Sequence, residues 1–192
     1  MSILFSTGAS GEPLIAPNDL VFDSGGGLWF TDHGRPWGPD PRPGSLYYGG
    51  IDGEPPRCVR GGLRSPNGIG LSPGGRTLFW ADTLEGSLWS AQIDEPGRLA
   101  GAVTRLGSVP EGQMLDSLAV QEDGRVCVGT IGDGGISRFG GPPGLEHFLL
   151  PDRMITNICF GGVDRRDAFV TTAATGKVLR LRWPDPGLAL AF

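Results

Sequence analysis

The stretch Ser65-Pro-Asn-Gly-Ile-Gly-Leu-Ser-Pro-Gly-Gly-Arg-Thr-Leu-Phe-Trp-Ala-Asp82 decides the fold. It opens on a polar residue at the start of a short apolar run, crosses a Pro/Gly turn, and enters a second apolar run ending on an acid. The same grammar recurs at Ala16-Pro-Asn-Asp-Leu-Val-Phe-Asp23 with Leu28-Trp-Phe-Thr-Asp32. It returns at Leu115-Asp-Ser-Leu-Ala-Val120 with Val126-Cys-Val-Gly-Thr130, and at Ile155-Thr-Asn-Ile-Cys-Phe160 with Ala168-Phe-Val-Thr-Thr172. Asn18, Asn67, Asp116 and Thr156 occupy the equivalent place, 49, 49 and 40 residues apart. A period of that size is the mark of a repeat architecture.

Working outward, each period holds short alternating runs separated by glycine and proline. Gly 34 and Pro 17 fall between these runs rather than in tracts, so they punctuate turns. No window carries a capped helical period. Four strands per unit, laid down as successive meanders, is the pattern of an all-β chain folded as a β-propeller. The units read as blades at 18–61, 67–109, 116–150 and 156–190 within a single domain, with Leu188–Leu190 as a last strand and residues 3–5 as the end of a preceding one. Val21, Phe22, Trp29 and Phe30, and then Leu78, Phe79 and Trp80, supply the apolar packing between blades.

Composition narrows the function. A net charge of −5 with no basic stripe argues against a nucleic-acid partner. No apolar run spans a bilayer, and Met1-Ser-Ile-Leu-Phe5 lacks the features of a signal peptide, so a cytoplasmic protein without a membrane partner is expected. Cys58, Cys127 and Cys159 show no metal-ligand spacing and read as structural, two of them sitting mid-strand among apolar neighbours as small core residues.

In a propeller the innermost strand of each blade lines a central channel, so the first residues of those strands converge at its mouth. Asn18, Asn67 and Asp116 would meet there. Two amide carbonyls and a carboxylate form a hard-oxygen set suited to Ca²⁺ or another hard divalent ion. The competing reading is local: Asn67-Gly68 is also a hairpin dipeptide, and Asn18-Asp19 can cap a turn. Recurrence at one phase of the repeat favours the channel.

These motifs, with Arg64-Ser-Pro-Asn-Gly-Ile-Gly-Leu-Ser-Pro73 and Asn157-Ile-Cys-Phe-Gly-Gly162, resemble the senescence-marker-protein / gluconolactonase / luciferin-regenerating-enzyme family in order along nearly the whole chain. The resemblance implies a six-bladed propeller with one catalytic cation at the channel mouth, Ca²⁺ or in its place Zn²⁺, Mg²⁺ or Mn²⁺. It implies a metal-dependent hydrolase that opens sugar lactones or related esters with metal-activated water. Asn67 and Asp116 match metal ligands, Asp116 also serving as the catalytic carboxylate. Asn18 matches a position that contacts substrate or the metal and its water. His33 and Trp37, on the loop after Leu28–Asp32, are candidates for the substrate wall, or else simply pack that loop.

The family also has a Glu ligand in its first blade, and Glu12 does not match it. The chain therefore reads as the C-terminal four blades of such a protein, with roughly 100 residues missing by the repeat period. Open blade edges then call for self-association or a complementing N-terminal piece. The alternative function is a non-catalytic binding module, or a truncated fragment whose metal site is incomplete.

Overall fold

The computed structural model describes residues 2–142 and 144–191, so the chain ends at Met1 and Phe192, on which expectations about its limits rest, lie outside the described residues. These residues form strands and no helix, and thus no helix long and apolar enough to cross a membrane. The first sheet contains β1 (Pro17–Phe22), β2 (Leu28–Asp32), β3 (Gly44–Gly49) and β4 (Arg57–Leu63). The second contains β5 (Pro66–Leu71), β6 (Thr77–Asp82), β7 (Ser87–Glu95) and β8 (Arg98–Ser108). The third contains β9 (Met114–Val120), β10 (Val126–Ile131), β11 (Gly135–Phe139) and β12 (Leu145–Phe148). The fourth has three strands, β13 (Ile155–Gly161), β14 (Asp167–Thr172) and β15 (Lys177–Arg182). Each sheet is an antiparallel meander in chain order, and the four stand as propeller blades.

Strand alternation explains how the blades stack. In β6, Leu78 and Trp80 join a core with Trp29, Leu46 and Ile69 of the preceding blade and its own inner strand. The intervening Phe79 and Ala81 face the other way, into a core with Leu115, Leu118, Val126 and Val128 of the third blade. Successive side chains of a strand point to opposite faces, so a strand buried on both reads as a continuous apolar run. The third and fourth blades meet through Cys127, Ile136, Ile158 and Val170. The expected aromatic packing between the first two blades is present at Trp29 and Trp80.

Two expectations fail at the margins. Residues 3–5 are not a strand; instead Phe5 stacks on Phe30 at 5.9 Å and, with Leu14, covers the outer face of the first blade. Leu188–Leu190 is not a strand either. Pro184 and Pro186 have no N–H for a ladder, and the chain crosses to the end of β9, where the Leu188 N–H donates to the Val120 carbonyl at 2.9 Å. The fourth blade consequently has one uncovered face. Along β14, Ala168 and Val170 are buried while Phe169 is 36% exposed, and Val178 on β15 is 70% exposed. Of the cysteines, Cys127 is in the core as expected, but Cys58 and Cys159 are exposed because their strands present them on solvated faces.

Every inner strand carries a bulge at the same point of its repeat. Pairing slips between Pro17 and Leu20 in β1, between Pro66 and Ile69 in β5, opposite Val128–Thr130 in β9, and between Ile155 and Asn157 in β13. The extra residues are Asn18-Asp19, Asn67-Gly68, Asp116-Ser117 and Thr156. Gly68 is thus a bulge residue inside a strand, not the corner of a hairpin. A Cβ there would lie 2.7 Å from the Asp116 carbonyl oxygen and 2.7 Å from the Leu118 nitrogen. Glycine is required because two backbones touch.

Gly68→Ala should therefore cost about 2 kcal/mol or more through overpacking, lowering the melting temperature by roughly 4–8 °C. Gly74→Ala is the control: a Cβ there meets nothing within 4 Å, and its effect should stay within about 0.5 kcal/mol. Equal melting temperatures for the two variants would refute the close-contact account.

Candidate functional site

The segments entering β1 and β5 are each pinned by a carboxylate from the end of the neighbouring strand. Asp32 accepts bonds from the backbone N–H groups of Ile15 and Ala16, both at 2.7 Å, and of Gly34 at 3.1 Å. Asp82 accepts from the Ser65 N–H at 2.9 Å, the Ser65 hydroxyl at 2.8 Å and the Glu85 N–H at 3.2 Å. In the fourth blade the acid lies on the entering segment itself: Asp152 accepts from the N–H groups of Met154 and Thr175 at 2.7 and 2.8 Å. Ala16 and Ser65 lie two residues before Asn18 and Asn67, so these acids set where the two asparagines enter their strands.

Asn67 is 6% exposed. Its Nδ2 donates to Thr83 Oγ1 at 3.1 Å, while its carbonyl Oδ1 is buried and has no partner among the described residues. The main-chain carbonyl of Asn67 is also held, by the Thr31 hydroxyl at 2.7 Å. A buried acceptor with no donor is costly and calls for an explanation. Beside it lies Asp116, whose carboxyl pKa is raised to about 6, chiefly by burial, with the Asn67 amide opposing the shift and the Asp19 charge adding to it.

Asp19 is the member the sequence did not single out. Its Oδ2 accepts the Ile69 N–H of β5 at 3.2 Å and its Oδ1 the Leu20 N–H at 2.9 Å. It also bonds the Ser117 side chain and the Leu118 backbone of β9, yet burial outweighs these bonds and raises its pKa. One carboxylate thereby ties three inner strands together. It also lines the channel, a cavity of about 470 Å³ walled by β1, β5, β9 and β13. The signal available in the sequence was an acid directly after Asn18, which reads equally well as a turn cap.

The other candidates sit less centrally. Asn18 is exposed on β1, and its side chain makes no hydrogen bond in the described structure. His33 is 8% exposed and stacks on the exposed Trp37 at 5.6 Å. Burial lowers the His33 pKa against the pull of Asp82 and Asp32, so the ring is neutral at physiological pH. Neither ring bonds Asn67 or Asp116. Thr156, the fourth member of the repeat position, bonds Thr171 at 2.8 Å.

The described residues contain no group of three or more His, Cys, Asp or Glu able to hold a metal ion. The donors at the channel mouth are instead one unpartnered amide oxygen and two carboxylates whose burial resists their charge. Amide and carboxylate oxygens are the donor type that hard divalent ions prefer.

A protein-family model described as "SMP-30/Gluconolactonase/LRE-like region" matches residues 2–174. The chain is 29% identical over 142 residues to "Lactonase drp35" of Staphylococcus haemolyticus (strain JCSC1435), covering 71% of this chain and 42% of that protein. It is 26% identical over 187 residues to "6-deoxy-6-sulfogluconolactonase" of Pseudomonas putida, covering 91% of this chain and 60% of that protein. The chain thus spans about half the length of these two relatives. Among solved structures, a luciferin-regenerating enzyme superposes with a TM-score of 0.74 at 22% identity, over 91% of this chain and 64% of its own.

The raised Asp116 pKa has a sign that can be tested. Its folded value lies above the ordinary 3.8, so without a cation the native state keeps a proton that the unfolded chain has released. Stability should fall as pH rises from about 4 through about 6, with the full penalty present above that window. Asp116→Asn should then be more stable than the parent by on the order of 1–2 kcal/mol at about pH 8, and unchanged at about pH 4. Urea melts in chelator read this directly; an equal effect at both pH values would sink it.

Proposed function

This chain belongs to the SMP-30/gluconolactonase/LRE-like family, and we propose that its channel mouth is the divalent-cation site of a lactone hydrolase. The observation carrying this reading is the buried, unpartnered Asn67 Oδ1 next to the desolvated Asp116. Lactonase names among the relatives support the reaction class. Asn67 and Asp116 would hold Ca²⁺, or Zn²⁺, Mg²⁺ or Mn²⁺ in its place, with Asn18 at the substrate side. When bound, such a cation polarises a carbonyl and acidifies water.

The remaining chemistry belongs to the protein. Water adds to the lactone carbonyl carbon, and the Asp116 carboxylate accepts the proton released. The ring C–O bond then breaks, and that proton passes to the departing ring oxygen, giving a hydroxy acid. Thr83 fixes the Asn67 amide through Nδ2, so Oδ1 keeps one orientation. Asp19 holds β1, β5 and β9 in register beneath the reacting groups. Neutral His33 and the Trp37 face form one wall for the substrate. Three free thiols fit a reducing compartment, in keeping with a cytoplasmic enzyme.

Ca²⁺ titration of the purified chain should give a dissociation constant on the order of 10⁻⁴ M, weak because few charged ligands are present. Lactone hydrolysis should rise with the same midpoint. Asp116→Ala should remove both binding and turnover, and Asn67→Ala should weaken binding by about tenfold. Intact metal affinity and hydrolysis in Asp116→Ala would end this reading. Binding without any turnover would leave the non-catalytic binding module in its place.

The uncovered face of the fourth blade, with Phe169 36% and Val178 70% exposed, supports a second assignment. We assign it to association with another copy or with a complementing segment, since paired faces remove apolar surface from water. Sedimentation across about a hundredfold dilution should show a mass that falls by mass action; a constant monomer mass would contradict it.

A further inference from the structure

Away from the channel, the first two blades enclose a second cavity of about 530 Å³. It lies between the β2–β3 loop, the end of β4 and the β6–β7 turn, at the same end of the propeller as Asn67. Its floor is the half-buried Trp89, the cross-strand partner of the buried Trp80, and prolines of the β2–β3 loop form part of the wall. Arg42, Arg60 and Arg64 also line it. The volume and the apolar floor with a few charged groups match a small-molecule site.

The polar groups are unevenly satisfied. Arg42 pairs with Asp40 at 3.2 Å. Arg60 and Arg64 have no acidic partner among the described residues, and the buried Trp80 Nε1 has no acceptor there. The two acids that line the cavity are already engaged. Asp82 takes bonds from Ser65 and Glu85, and Glu85 accepts the Trp89 indole N–H at 3.2 Å. With Arg42 met by Asp40, Arg60 and Arg64 are the two guanidinium groups of the lining without an acidic partner among the described residues, a pair that one carboxylate can bridge.

We propose that this cavity binds a small organic monocarboxylate with a flat apolar body. The carboxylate is held in the guanidinium forks of Arg60 and Arg64, and the body lies on Trp89. Guanidinium matches carboxylate geometry with two parallel bonds, and an aromatic floor suits a flat apolar group. Hydrogen bonds link the wall of this cavity to the segment that holds Asn67. The Asp82–Ser65 pair bonds the Leu84 N–H through the Ser65 hydroxyl at 2.7 Å, and the adjoining Thr83 holds Asn67. A ligand seated against the β6–β7 turn thus touches the segment that orients Asn67.

The test is calorimetric titration of the full chain, in chelator, with phenylacetate and with its neutral isostere phenylacetamide. Phenylacetate should bind at least about tenfold more tightly. The preference should vanish in the double variant Arg60→Ala/Arg64→Ala and survive in Asp116→Ala, which separates this cavity from the channel. Because both arginines are exposed, the double variant should keep the parent melting temperature. Should it fail to fold, Arg60→Gln/Arg64→Gln carries the same comparison. Equal affinity for the two probes overturns the proposal, as does a preference that outlasts the arginine substitutions or disappears with Asp116→Ala.

Discussion

The contact between β5 and β9 at Gly68 is the constraint on which the site depends. A Cβ at this point would sit 2.7 Å from two backbone atoms of the next inner strand, so the two strands meet main chain to main chain. That approach brings the Asn67 amide beside Asp116 and brings the Asp19 carboxylate within reach of Ile69, Ser117 and Leu118. A bulge adds a residue and bends its strand, which re-aims the side chains next to it. The bulge recurs at one phase of every blade, so the same irregularity marks the start of all four inner strands. The convergence follows from backbone geometry before any ligand is considered.

What holds the strands in that geometry is burial on both faces of each blade. β6 sends Leu78 and Trp80 one way and Phe79 and Ala81 the other, so shifting it by one residue would exchange two cores at once. The acids ending β2 and β6 then lock the segments that lead into β1 and β5. Apolar packing is non-directional and fixes the blades' separation. The carboxylate-to-backbone bonds are directional and fix the height at which each inner strand begins. Neither would place Asn67 without the other.

The repeat was legible because it is written in strand alternation and turn residues, both local properties. Most strand limits, and the pairing of Asn67 with Asp116, could be read from the phase of the repeat alone. Asp19 escaped because its partners, Ile69 and Leu118, are supplied by other blades, and no local pattern distinguishes it from a turn cap. The bulges escaped for a related reason: register is a property of two strands. The missing strand at Leu188–Leu190 and the exposed Cys58 and Cys159 turn on which faces find a neighbour, a fact of assembly that periodicity does not encode.

Asn67, Asp19 and Asp116 together run against the stability of the fold. An amide oxygen is buried without a donor, and two carboxylates are raised by desolvation that their hydrogen bonds do not offset. Elsewhere the same protein satisfies its buried acids fully: Asp32 and Asp82 each accept three bonds, and Asp152 sits at about 2 on the strength of Thr175 and Met154. The fold thus satisfies the acids at the strand ends, whereas at the channel Asp19 accepts from Leu20, Ile69, Ser117 and Leu118 and is still raised by burial. Unsatisfied polar groups persist where surrounding structure over-determines them, and here the two-faced cores and the Gly68 contact do so. The proposed cation site rests on this contrast between the buried, unpartnered Asn67 Oδ1 beside Asp116 and the better-satisfied acids around them.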